Sequence, residues 1–152
     1  MNIRHATYAD LGRLLALCEE GVGESRYQRY AFNAAKAATL LERALEVGDV
    51  IVLVAVDDEN VVQGFFAGVV TQHYFVDMVY ATNIGLYMTP AKRGGLTAAK
   101  LVREFERLAR ERGASEIMLG ATAGGVNAVR AVSFYKKLGY QPVGALTVKY
   151  GE

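Results

Sequence analysis

The sequence is expected to fold as a mixed α/β chain, an α+β arrangement in which helices lie against a hairpin-rich sheet. Three observations carry this expectation. Val50 to Val56 is an unbroken apolar run rich in β-branched residues, as in a strand covered on both faces. Asp57-Asp58-Glu59-Asn60 turns the chain and Val61 to Thr71 returns it, the pattern of a hairpin. Ala98, Leu101, Val102, Phe105, Leu108 and Ala109 then recur on one helical face, with Lys100, Arg103, Glu104, Arg107 and Arg110 on the other.

The remaining elements follow in chain order. Ile3 to Ala6 reads as a short strand, and Thr7 offers a cap to a helix bearing Leu11, Leu14, Leu15 and Cys18. Gly21-Val22-Gly23 is expected to stop that helix. The polar, aromatic segment Glu24 to Tyr30, suited to lining a site, separates it from a second helix near Asn33 to Val47. After the hairpin, Gln72 to Tyr80 reads either as further strand or as loop. Thr82 to Met88 is a strand closed at Thr89-Pro90, since proline cannot donate to a ladder. Gly113 ends the third helix, Glu116 to Ala121 reads as a strand, and Ala128 to Leu138 as a helix stopped by Gly139. Gln141 to Val143 and Leu146 to Tyr150 read as closing strands. No repeat or low-complexity segment interrupts this order, and residues 1–152 read as one domain.

Composition narrows the function. Seventeen basic residues nearly cancel sixteen acidic ones, leaving a formal charge of +1, which argues against a nucleic-acid partner. No apolar run reaches the roughly 18 residues needed to cross a bilayer, and Met1 to His5 lacks the apolar core of a signal peptide. A cytoplasmic protein with no membrane partner is therefore expected. Cys18, the only cysteine, has no internal disulfide partner and reads as a small buried group. Two separated histidines and one cysteine offer no ligand cluster, so no metal is expected.

The strongest local signal is the segment from Leu86 to Ala98, where a strand runs through a glycine-containing turn directly into the amphipathic helix. The first amides of a helix have no partner within it, they carry the positive end of the dipole, and glycine lets an anion approach the backbone. Lys92 and Arg93 add positive charge. A P-loop is excluded, because no glycine here precedes a Lys-Ser/Thr pair. A dinucleotide fold would want G-x-G-x-x-G and an acidic residue ending the next strand, which instead ends Leu119-Gly120-Ala121-Thr122. By itself the Gly94-Gly95 pair also reads as a plain tight turn, with Thr97 capping the helix.

Read as a whole, the segment resembles the coenzyme A motif of the GNAT N-acetyltransferase family, Q/R-x-x-G-x-G/A after a strand ending L-x-V-x-P. Leu86-Tyr87-Met88-Thr89-Pro90 matches the strand end, Arg93 the first motif position and Ala98 the last. Leu96 stands where the family usually has glycine; a frame beginning at Lys92 restores glycine at Gly95 but puts Thr97 last and misaligns the helix. Ala131-Val132-Ser133-Phe134-Tyr135-Lys136-Lys137-Leu138-Gly139-Tyr140 is similar to the family's A-x-x-x-Y-x-K-L-G-F. The family's asparagine seven residues before that tyrosine would fall on Ala128, and Asn127 lies one residue early. The opening Ile3-Arg4-His5-Ala6-Thr7-Tyr8-Ala9-Asp10-Leu11 is similar to IR-x-A-T-x-x-D-L, so the resemblance spans nearly the whole chain.

The resemblance implies a mixed, mostly antiparallel sheet of six to seven strands flanked by about four helices. It also implies acetyl-CoA as co-substrate, an amine acceptor (small molecule, peptide or protein), and transfer by direct attack. Leu86, Met88, Arg93, Gly94, Gly95, Leu96, Thr97, Ala98 and Asn127 would hold the cofactor. Its pantetheine would pair with the Leu86–Met88 backbone, the Met88 N–H polarising the thioester carbonyl. Tyr135 would be the general acid, because a phenol with a pKa of about 10 keeps its proton until a thiolate forms beside it. The base stays open among Glu20, Glu24, His73 and Asp77. Arg26, Tyr27, Arg29 and Tyr30 read either as acceptor contacts or as a solvated loop with packed tyrosines. Family members often pair through C-terminal strands, making a homodimer an expectation to test. The rival reading is a non-catalytic module that binds coenzyme A or another protein.

Overall fold

The computed structural model describes residues 1–121 and 125–151, the side chains of 125–127 excepted. Five strands, β1 (Asn2–His5), β2 (Val50–Val56), β3 (Val62–Gln72), β4 (Val79–Met88) and β5 (Glu116–Met118), form one sheet in that order. The first four pair antiparallel, and β5 joins β4 in parallel. Four helices accompany them: α1 (Leu11–Gly23), α2 (Ala34–Val47), α3 (Thr97–Glu111) and α4 (Gly125–Lys137).

The apolar run of β2 is buried along its whole length because helices cover both sides of the sheet. Val50, Val52, Val54 and Val56 pack with Leu14 and Leu17 of α1 and with Leu41 and Ala44 of α2. Ile51, Leu53 and Ala55 share the opposite core with Leu101, Val102 and Phe105 of α3. The two-residue period of a strand thus divides its side chains between two cores. Each full burial of such a side chain is worth about 1.5–3 kcal/mol. Phe66 of β3 stacks on Phe105, with centroids 4.4 Å apart, and anchors α3 over the centre of the sheet.

At the start of the chain, the Asp10 carboxylate accepts two bonds from the Arg4 guanidinium, at 2.7 and 3.0 Å. It also accepts the Thr7 N–H at 2.8 Å. Thr7 therefore heads a 3-10 turn over Tyr8–Asp10, and α1 begins only at Leu11, one turn later than a Thr7 cap implies. Asn33 caps α2, its side-chain oxygen accepting the Lys36 N–H at 3.0 Å, and the helix begins at Ala34.

Two expectations are corrected. Gly21 does not stop α1, which runs past it and ends at Gly23, the last residue of the expected tripeptide. A side chain at Gly21 would lie 3.3 Å from the Tyr87 ring, so this glycine lets the helix lie against β4. The sheet has five strands among the described residues rather than six or seven. The segments 141–143 and 146–150 lie off it, with Leu146 94% exposed, and β5 ends at Met118 instead of Ala121. A strand needs an edge to pair with. Here Tyr150 instead lies under the Arg29 guanidinium, 3.8 Å from the ring centroid.

Candidate active site

The end of β4 and the turn after it bring most of the expected cofactor residues together. Thr89 N–H donates to the Gln63 carbonyl at 2.9 Å, and Met88 stands opposite Gly64. Backbone groups alternate sides along an antiparallel strand. The Leu86 and Met88 amides therefore point away from β3, toward the side where β5 would lie. Yet β5 pairs with β4 only from Tyr80 to Thr82, so both amides face an open edge.

The turn itself presents more free donors. Gly94 has φ +89°, a conformation costing an L-residue about 1–2 kcal/mol. Leu96 precedes the first turn of α3, and Lys100 N–H donates to its carbonyl at 3.0 Å. No side chain caps the helix, so Thr97 is its first residue rather than its cap. Among the described residues, none accepts from the amides of Gly94 to Ala99. Leu96 takes an ordinary φ of −88° with its side chain 75% exposed, so leucine is accommodated where glycine was the family's usual choice. Open space lies where Cβ atoms of residues 94 and 95 would stand. Such a row of amides at a positive helix end fits a diphosphate. The Asn127 side chain lies outside the described residues.

Arg93 uses its side chain within the protein. Its Nε donates to the Met88 carbonyl at 2.9 Å, its guanidinium pairs with Glu24, and it lies 5.2 Å from the Tyr87 ring centroid. Beside it, Tyr87 donates its hydroxyl to Glu20 at 3.0 Å. Burial, and secondarily this bond to a carboxylate, push the Tyr87 phenol up from its usual range. Glu20 and Glu24 thus stand at the end of β4 that leads into the cofactor turn. His73 and Asp77 do not: they lie in the β3–β4 loop, at the far end of a strand about 30 Å long.

Tyr135 projects from α4 and is 7% exposed, its ring packed among Phe134 and Tyr140. Its hydroxyl donates to the Gly120 carbonyl at a long 3.4 Å. Burial pushes its pKa up to about 12, so the phenol holds its proton throughout the neutral range. Burial likewise raises the Cys18 thiol, consistent with a packed side chain of low reactivity.

Where β4 and β5 part, a residue absent from the sequence reading closes the gap. Asn83 donates its side-chain N–H to the Gly120 carbonyl at 2.9 Å and accepts the Gly120 N–H at 2.9 Å. Its one advance signal is an asparagine inside a strand, where that residue is depleted. Tyr87, also overlooked, gave no signal beyond its place beside Met88. Among the described residues no group of three or more His, Cys, Asp and Glu is placed to hold a metal, and no helix is long and apolar enough to cross a membrane.

An antiparallel sheet whose fourth strand splays from a parallel fifth, with a glycine turn entering a helix at the splay, is a GNAT-like fold. The family description "Acetyltransferase (GNAT) domain" matches residues 48–142, and the chain belongs to that family. It resembles a 6'-N-acetyltransferase for aminoglycoside antibiotics from Acinetobacter haemolyticus at 19% identity and TM-score 0.77, over 100% of this chain and 99% of that one. A putative acetyltransferase from Agrobacterium tumefaciens aligns at 17% identity and TM-score 0.76, over 99% of this chain and 100% of the other. An aminoglycoside acetyltransferase from an uncultured soil metagenomic sample aligns at 19% and 0.71, over 99% and 98%. No curated protein matches the sequence.

Proposed function

We propose that the chain is an acetyl-CoA-dependent N-acetyltransferase acting on a primary amine. The observation that carries this reading is the pair of free-donor groups at one end of the sheet, the Leu86 and Met88 amides on the open edge and the Gly94–Ala99 amides at the head of α3. Acetyl-CoA supplies a thioester, whose C–S bond breaks as the amine nitrogen bonds the acetyl carbon. The turn amides bind the diphosphate, Gly94 and Gly95 keeping it clear of side chains. The outward Leu86 and Met88 amides hold the extended arm, and the Met88 N–H polarises the carbonyl oxygen. Tyr135 holds the proton that the departing sulfur takes up.

The attacking amine must be neutral and gives up one proton in exchange. Glu20 and Glu24 supply negative charge at the right end of β4, which suits a cationic acceptor before it is deprotonated. The aminoglycoside enzymes among the structural relatives make an amino sugar a sensible member of the acceptor panel. Calorimetry with acetyl-CoA, followed by thiol release over primary amines, tests the reading. Binding with turnover on at least one amine is expected, and wild-type protein that ignores millimolar acetyl-CoA would end it.

A second reading, a module that binds coenzyme A without turnover, draws on the burial of Tyr135 and its bond to Gly120. Binding with no thiol release on any amine would select it.

A further inference from the structure

The parallel ladder between β4 and β5 is three residues long on each strand. Immediately past it Asn83 stands opposite Gly68, and the register between β3 and β4 shifts, leaving Ile84 without a partner across the pair. A bulge of this kind bends a strand and adds twist. The bend carries β4 away from β5, and the next backbone rung, which would fall at Asn83, is replaced by a side chain. The Asn83 side-chain amide presents its oxygen and one of its two N–H groups on the same side, and it uses both on Gly120 at 2.9 Å. The Gly120 carbonyl is also the acceptor for the Tyr135 hydroxyl. One peptide unit therefore links the bend of β4 to the phenol on α4.

We propose that Asn83 is a positioning residue that fixes the apex of the opening between β4 and β5 and, through the Gly120 carbonyl, the aim of the Tyr135 hydroxyl. Bridging with a side chain rather than with backbone lets the two strands diverge at once, which leaves the Leu86 and Met88 amides free one and two turns of the pleat further on. An apolar residue of similar volume would fill the same space, but it would remove both bonds that tie Gly120 to β4 and leave the carbonyl that receives the phenol without that anchor. This role rests on the transferase reading above.

The test uses the full-length protein as Asn83→Leu, which keeps the volume and removes both bonds, and as Asn83→Asp, which keeps the acceptor for the Gly120 N–H and loses the donor. In apo protein, exchange of the Gly120 amide measured by NMR is expected to accelerate at least tenfold in Asn83→Leu and to stay near wild type in Asn83→Asp. In thiol-release kinetics both variants are expected to lose about tenfold in kcat or more. That loss should vanish in a Tyr135→Phe background, each double variant falling within twofold of Tyr135→Phe alone. Losses that multiply instead, or a kcat unchanged in both variants, would overturn the proposal. If Asn83→Leu fails to fold, the Asn83→Asp cycle decides it by the same criterion. Wild-type protein that does not bind acetyl-CoA would overturn the transferase reading and this role with it, whereas wild-type turnover with multiplicative losses would overturn the role alone.

Discussion

Tyr87 donates its hydroxyl to the Glu20 carboxylate at 3.0 Å, tying the last turns of α1 to the penultimate residue of β4. The contact exists because Gly21 lets the helix approach the tyrosine ring. It sets a carboxylate beside the strand end whose backbone faces the proposed cofactor. Glu20→Gln should raise the KM for a cationic amine about tenfold while leaving the acetyl-CoA Kd within twofold. Steady-state kinetics alongside calorimetry check this, and equal losses in both constants would place Glu20 outside the acceptor site.

Gly95 offers a cleaner probe of the diphosphate site than Gly94. An L-residue at Gly94 pays for its positive φ whatever its side chain, whereas Gly95 has open space and no such penalty. Gly95→Glu is expected to weaken acetyl-CoA binding at least a hundredfold, by bulk and by charge against the diphosphate, with Gly95→Ala within about fivefold of wild type. Calorimetry on both variants measures it, and an unchanged Kd in Gly95→Glu moves the site elsewhere.

Tyr135→Phe should lower kcat by about a hundredfold, the lower end of what a positioned acid contributes, with acetyl-CoA affinity retained. Because burial raises the phenol to about 12, wild-type kcat should show no Tyr135 ionisation between pH 6 and about 11. The same shift acts on stability. The folded protein favours the protonated phenol, so this contribution is complete below the ordinary value of about 10 and fades as pH climbs from there through 12. Urea titrations of wild type and Tyr135→Phe across that window should converge as pH rises.

Asp10 is buried with three strong donors, and the Arg4 bond first among them holds its carboxyl below the usual range. Asp10→Asn should cost roughly 2 kcal/mol, or about 4–8 °C in Tm for a chain of this size. The stabilisation is present above the unfolded value near 3.9 and is lost as pH falls through the lowered folded value. Thermal melts at pH 7 and in strong acid should therefore show the variant's deficit shrinking in acid.

The elements legible in the sequence are those whose cause is local. β2 and α3 announce themselves by periodicity, and the turn at Gly94 by its place between a strand and an amphipathic helix. The failures have remote causes. Gly21 reads as a helix stop, yet its reason for being there is Tyr87, 66 positions on. Leu146, Val148 and Tyr150 alternate as a strand does, but pairing depends on an edge that the pattern does not contain. Asn83 looks out of place in β4 until Gly120, 37 residues later, supplies its partner.

Only three rungs of backbone ladder join β5 to the antiparallel sheet. Contacts so few open at lower free energy than a ladder buried on both sides. β1 to β4, with α1 and α2 behind them, form a long antiparallel ladder, and β5 joins it through a short parallel one just beyond which Gly120 meets Tyr135 on α4. The β5 side of the opening is thus expected to part more readily than the β4 side, a difference that amide exchange in residues 116–121 reads directly.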